Sequence, residues 1–230
     1  MNRLKSLTLA AVLPYAIWMV MLFTLPATAG QYALRSALTA VMLFAGLACA
    51  ARVLGPWGFF RPMAACKSLF WGLLIGVVVC VLWIYPERFA AYRDFSLLGA
   101  LGLGGGSVEG PSPYDPAVCG WDLTVIKLIG SAFVIAPVEE IFFRSFLYRW
   151  LQKSEWTSVP LNRFDWSAFI WMVGLFALEH HTRLAAGAMA GAFYGVLAIR
   201  CGLASAVIAH VTTNFLLGLY VIQYKEWLFW

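Results

Sequence analysis

Charge is what this chain has least of: Asp, Glu, Lys and Arg make up only 12% of its 230 residues, while 62% are hydrophobic and the mean hydropathy is +0.80. One soluble core cannot bury that much apolar surface, so a soluble fold is excluded and a lipid bilayer must cover the remainder. Histidine is scarce as well, with three residues in all, His180, His181 and His210. No HExxH pair and no CxxC pair occurs. The five cysteines, an odd number without paired spacing, read as small apolar packing residues, four of them in or beside apolar runs. The formal charge of +5 does not point to nucleic acid, because the basic residues are scattered between apolar runs instead of forming a face with aromatics.

What is present is a series of apolar runs, at residues 7–29, 36–54, 68–85, 121–150, 166–181, 184–199 and 203–223. A helix needs about 20 residues to cross ~30 Å of hydrocarbon. The fold expected is therefore all-α, a polytopic transmembrane bundle of about seven spans in one domain, 1–230. Residues 1–120 would hold three N-terminal helices and an external loop, and residues 121–230 a four-helix part. The first run ends in Ala27-Thr28-Ala29, which imitates a signal peptidase site, but the run is long enough to span and is read as a helix that stays. Gly55-Pro56-Trp57-Gly58 marks a turn, making the second and third runs a helical hairpin. Residues 86–120, with the glycine run 104–106 and Pro111-Ser112-Pro113, read as the external loop, and residues 87–93 as either a short interfacial turn or plain connection.

With the N-terminus in the cytoplasm, ten Lys and Arg side chains (including Arg144) fall on the cytoplasmic side, five (including Arg35) on the other, and Lys127 lies in a span. That asymmetry favours the orientation. Trp57, Trp121, Trp150, Trp156, Trp166 and Trp227 lie near run ends, where amphipathic rings settle at headgroups.

The informative residues are the few polar groups inside apolar runs, because an ionisable side chain at membrane depth costs several kcal/mol unless paired or wetted, on the order of +2.5 to +3.5 on insertion scales. Glu139-Glu140-Ile141-Phe142-Phe143-Arg144 is the first set. Glu140 and Arg144, at i and i+4, share a helix face and can pair. Adjacent residues point ~100° apart, so the two carboxylates are not expected to serve one partner, and Glu139 is left as the free one. Pro137 loosens the helix just before it. A kink beside a charge pair accounts for the same residues. The second set places Phe176 and His180 one turn apart, and the third places His210 and Asn214 likewise. A buried histidine alone is commonly a packing residue; three polar sets in the last four helices are harder to dismiss. At ~1.5 Å rise per residue, Glu139 lies about 16 Å below Trp150, His180 about 21 Å from Trp166, and His210 and Asn214 about 10 and 16 Å from Leu203. All four meet near mid-membrane. Gly187, Gly191 and Gly195 repeat every fourth residue, as in close helix packing or a substrate groove.

Together the three sets resemble the type II CAAX prenyl endopeptidases and their bacterial relatives, the CPBP or Abi intramembrane proteases: EExxxR in Glu139, Glu140 and Arg144, FxxxH in Phe176 and His180, HxxxN in His210 and Asn214. The stretch 176–181 with the glycine-spaced helix after it looks most like the exosortase-associated CAAX-protease-related branch. The resemblance covers the last four helices and implies a bacterial inner-membrane protease with a metal-free glutamate mechanism, acting on a membrane-associated protein or peptide.

Peptide hydrolysis needs a group that deprotonates water and donors for the oxyanion. Glu139 with His180 would do the first, His210 and Asn214 the second, while Arg144 holds Glu140 and Phe176 supports His180. Ser131, Ser145 and Cys201 lack the context of an activated nucleophile. No organic cofactor is implied, but Glu139, His180 and His210 are acceptable zinc ligands, so a zinc-activated water is an open variant. A non-catalytic membrane chaperone, immunity factor or transporter is the alternative. Transport would predict broken helices in both halves, whereas the polar sets sit in the C-terminal one.

Overall fold

The computed structural model describes residues 3–60, 67–85, 111–180 and 183–230, and among these the architecture is all-helical. The long helices are α1 (Arg3–Thr24), α2 (Ala29–Leu54), α3 (Ser68–Ile84), a composite α4 over 121–152, α5 (Trp166–Glu179), α6 (Leu184–Cys201) and α7 (Leu203–Tyr224). The proposed interfacial turn at 87–93 and the glycine run lie outside the described residues.

The protein is an integral membrane protein. α1, α2, α6 and α7 are long and apolar enough to cross a bilayer. Phe23, Val41, Phe44, Leu69, Phe133, Ile170 and Trp171 stand exposed on the outer faces, as side chains against lipid do. α3 and α5 are shorter apolar helices of 17 and 14 residues, so seven full spans do not follow directly. At ~1.5 Å per residue α5 covers about 21 Å, less than the ~30 Å of hydrocarbon. Its C-terminal end lies against the start of α6. There Arg183 Nη2 donates to Leu228 O at 2.8 Å, and its guanidinium stacks on Phe229 at 4.8 Å, so the C-terminal turn covers the start of α6. Such covering is needed, since irregular backbone at membrane depth is tolerated only inside protein.

The tripeptide 27–29 is a helix start. Thr28 is extended and its side chain accepts from Gln31 N, so α2 begins at Ala29, seven residues before the run expected at 36. The longer helix draws Arg35 inside, where it is 7% exposed and stacked over Trp18 at 4.1 Å. Arg144 is buried too, so each side of the charge count loses one residue and the asymmetry keeps its sign. Cys201 is disulfide-bonded, which corrects the packing role assigned to it; Cys49, Cys80 and Cys119 are free.

α4 is not a uniform helix. Trp121–Ile129 is α-helical, Gly130–Ile135 widens to π, Ala136–Glu140 returns to α, Ile141–Leu147 is π again and Tyr148–Gln152 closes as α. Pro137 has no N–H to give the carbonyl one turn back, and beside it the N–H of Ala136 bonds Ser131 O, five residues back. The loosening expected at Pro137 is thus a π turn on its N-terminal side.

Packing runs α1 on α2, α3 on α7, and α5 on α6, with α4 threading between them. One core joins Phe143, Tyr148, Met172, Phe176, Tyr194 and Ala209, and a second joins Leu7, Ala50, Val138, Trp156 and Leu203. Arg3 donates to Val53 O at 3.0 Å and Trp156 Nε1 to Thr8 Oγ1 at 3.0 Å, so the start of α1, the end of α2 and the 153–165 connection share one side of the molecule.

Glycines of α3 let it lie against α7: a Cβ at Gly76 would meet Ala209 O and Thr212 Cβ at 2.6 Å. The glycines of α6 admit α5, with Ala177 and His180 at Gly187, Phe176 at Gly191 and Phe169 at Gly195. That repeat is helix packing. Gly76→Ala is expected to destabilise by about 1–3 kcal/mol through backbone overpacking. Gly174→Ala, which meets nothing within 4 Å, is expected to be neutral or slightly stabilising. Thermal unfolding of the purified protein in detergent compares the two, and equal midpoints would contradict this account of the α3–α7 contact.

Candidate active site

The site is built around Glu140, which is completely buried. Its Oε1 lies 3.0 Å from Arg144 Nη1, one turn later on α4, and 2.9 Å from His210 Nδ1 on α7. A buried carboxylate in an apolar bundle is tolerated only with partners of this kind. Arg144 reaches further: Nη2 donates to Gly191 O on α6 at 3.3 Å, and the guanidinium stacks on the Phe176 ring at 4.2 Å. One arginine therefore holds α4, α5 and α6 together.

The two carboxylates do share a partner, contrary to the expectation from helix geometry. His210 Nε2 lies 3.7 Å from Glu139 Oε2, while its Nδ1 takes Glu140. An imidazole carries two nitrogens facing different ways, so a ring entering from α7 fits the wedge between neighbouring residues of α4. At 3.7 Å the Glu139 contact is too long for a direct hydrogen bond. Glu139 Oε2 is buried and has no hydrogen-bonding partner among the described residues.

His180 ends α5 as its C-cap instead of continuing it, and its Nδ1 lies 2.9 Å from Phe176 O. A carbonyl can only accept, so Nδ1 carries the hydrogen and Nε2 is the ring's basic nitrogen. The ring also meets Phe176 at 4.7 Å and Trp83 edge-on at 5.3 Å. His181, its neighbour in the sequence, lies outside the described residues.

Asn214, one turn beyond His210, donates through Nδ2 to Ser131 O at 3.0 Å. Ser131 O is the carbonyl the π turn re-aims, and the bond leaves Asn214 a second N–H. His180, His210, Asn214 and Phe176 line one cavity of about 200 Å³, with Ser131, Tyr194, Thr213, Trp83 and Lys127. Glu139 stands behind His210, outside that lining.

Several residues here were not singled out from the sequence. Tyr194 stacks on His210 with ring centroids 4.7 Å apart and donates to Thr213 Oγ1 at 2.7 Å, fixing the imidazole plane. Its position on the glycine-spaced helix, between Gly191 and Gly195, was the available signal. Glu179 interacts electrostatically with Glu139 and Arg144, and Tyr15 of α1 with Glu179 and Glu139. Tyr15 also stacks on Phe142 at 4.0 Å, so the first helix contributes to the site although it carries no motif. Among the described residues no three His, Cys, Asp or Glu side chains converge at metal-ligand spacing.

No curated protein and no solved structure matches this chain significantly. A family model does, over residues 121–216, which run from the start of α4 to just past Asn214 and so take in every residue of the polar cluster contributed by α4 to α7. The matching model is that of the Rce1-like type II CAAX prenyl endopeptidases, and residues 121–216 are similar to it.

Proposed function

We propose that the protein is an intramembrane endopeptidase that hydrolyses a peptide bond of a membrane-associated protein or peptide by a glutamate mechanism. The observation that carries this reading is Glu139 Oε2, a buried carboxylate oxygen with no hydrogen-bonding partner among the described residues, 3.7 Å from an imidazole nitrogen that lines the cavity. Two polar atoms at that separation suit one bridging water.

In the proposed reaction Glu139, with the basic Nε2 of His180, takes a proton from water as its oxygen attacks the scissile carbonyl carbon. The carbonyl oxygen gains the electron pair and becomes the oxyanion. Asn214 donates to it through the N–H that Ser131 leaves unused. His210, whose Nδ1 is committed to Glu140, donates through Nε2 as the imidazolium. When the tetrahedral carbon collapses, the proton held on the Glu139–His180 side passes to the leaving amine. Arg144, Glu140, Tyr194 and Phe176 are positioning residues: they hold the two imidazoles and do not touch the reacting atoms.

The family supports a CAAX-type protease, and the exosortase-associated branch is the placement suggested by residues 176–181. Together with the basic-residue asymmetry, this supports a bacterial inner-membrane location with a cytoplasmic N-terminus. A zinc-activated water would use the same imidazoles and is separated from the glutamate mechanism by chelation.

Purified protein in detergent is expected to cleave members of a library of prenylated and unprenylated peptides in the presence of a zinc chelator. Glu139→Gln and His180→Ala are expected to lower kcat/KM by about 10²–10⁴, and Asn214→Ala by about 10²–10³. Loss of cleavage on chelation would replace the glutamate mechanism by a metal one; full cleavage by Glu139→Gln would overturn the role given to Glu139, and no cleavage of any peptide would favour a chaperone, immunity or transport role.

Stability separates the supporting residues from the reacting ones. Arg144→Met leaves Glu140 buried without its cation and is expected to cost about 3–5 kcal/mol, whereas Arg144→Met with Glu140→Gln is expected to cost less than the single change. Thermal unfolding in detergent measures both, and additive losses would argue against a coupled pair.

A further inference from the structure

The cavity is ringed by helix ends. Among its lining residues Trp83 is the last but one of α3, His180 caps the end of α5, and Lys127 stands near the start of α4. Arg183 caps the start of α6 at the same end of the bundle. The other end is filled by the core around Leu7, Ala50, Val138 and Trp156. What enters the cavity past these helix ends must pass the turn that follows α7.

Residues 225–230 of that turn run across the ring. On one side Trp230 packs against Gly218, where a Cβ would meet its Cζ2 at 3.1 Å, and lies edge-on to Tyr114 with ring centroids 6.4 Å apart. Tyr114 is tied to α4, its carbonyl accepting from Thr124 Oγ1 at 2.9 Å. On the other side Leu228 O accepts from Arg183 Nη2 at 2.8 Å, and the Phe229 ring lies 4.8 Å from the same guanidinium. The turn thus bridges the α4 side to the α6 side, and Phe229 and Trp230 form part of the cavity wall.

This piece of wall is held lightly. No residue of Trp227–Phe229 is buried, and Leu228 is 63% exposed. The chain enters the turn through Lys225, at φ 57 and ψ 32, the one non-glycine residue at positive φ among the described residues. The N–H groups of Lys225 and Glu226 both return to Val221 O, a left-handed helix closure in which glycine is the usual residue. A side chain in that conformation is strained against the following carbonyl. A segment with few buried contacts and a strained entry opens at low free energy.

We infer that residues 225–230 are a flap, hinged at Lys225 and fastened by Arg183 on Leu228 O, that closes the cavity until a substrate displaces Phe229 and Trp230. The displacing group is an apolar peptide segment, because the surface that the two rings vacate, with Trp83 and Leu217, would otherwise be wetted. Closure keeps bulk water from His180, His210 and Asn214 while no substrate is present. It also lowers apparent affinity in proportion to the fraction of molecules that stand open. The inference rests on the protease reading for what enters; the hinge and its movement are measured without cleavage.

Backbone amide exchange over residues 225–230 is followed by mass spectrometry on the full chain in detergent, in the Glu139→Gln background so that nothing is cleaved. Lys225→Gly relieves the strain and is expected to slow exchange about three-fold, whereas Lys225→Val, β-branched and poorly suited to positive φ, is expected to speed it by a similar factor. Gel-filtration profiles are expected to stay unchanged. Equal exchange in the three proteins overturns the inference. A dansylated decapeptide of Val, Leu and Ala, its binding read by fluorescence, is expected to speed exchange in the turn as it binds. Slower or unchanged exchange on binding overturns the inference, because Phe229 and Trp230 would then be a fixed wall that the peptide covers. In the cleaving protein Lys225→Gly is expected to raise KM and Lys225→Val to lower it, each about three-fold and with kcat unchanged. Trp230→Ala is expected to lower KM; a rise would make Trp230 a substrate contact and overturn the flap. Exchange in the expected order, with no peptide bound or cleaved by any variant, would overturn the protease reading and leave the hinge standing.

Discussion

A buried carboxylate in a bilayer is costly unless it is paired or wetted, and the pairing of Glu140 with Arg144 and His210 is the constraint from which the site follows. Arg144 answers Glu140 on the same helix at 3.0 Å, then extends to Gly191 O and the face of Phe176, while His210 arrives from α7. These contacts fix the relative rotation of α4, α5, α6 and α7. Each of those helices presents apolar side chains on several sides, so dispersion alone would leave their rotation weakly specified. The polar contacts decide it, because any other rotation strands a charge in hydrocarbon.

Geometry within α4 is adapted to this arrangement. A regular helix would aim every carbonyl along its own axis, but the π turn before Pro137 shifts the N–H of Ala136 onto Ser131 O, the same carbonyl that holds Asn214. α5 stops short, with His180 turning back on Phe176 O as its last cap. Gly187 and Gly191 let α5 approach closely enough for His180 and Phe176 to face the cavity. The N-terminal helices carry no motif but are not mere packaging, since Tyr15 stacks on Phe142 and interacts with Glu139, and Tyr32 lies against the Lys127 ammonium.

The sequence by itself determined the membrane setting, because 62% hydrophobic residues leave no soluble alternative, and it marked the polar sets 139–144, 176–180 and 210–214 that the family match encloses. Helix periodicity was enough to pair Glu140 with Arg144, since i and i+4 lie on one face whatever the tertiary fold. Residues 27–29 imitate a cleavage site in the sequence, and only the structure shows the Thr28 hydroxyl capping the start of α2. Only tertiary structure decided that His210 joins Glu139 and Glu140, since angular spacing on one helix says nothing of a ring that enters from another. It also decided that Lys127 and Arg35 both lie near the ring of Tyr32, 95 residues before Lys127 in the sequence. Trp83 of α3 and Phe229 and Trp230 of the C-terminal turn reach the cavity through distances no local pattern encodes. Periodicity reports which face of a helix a residue occupies; which neighbour that face meets is set by packing of the whole bundle.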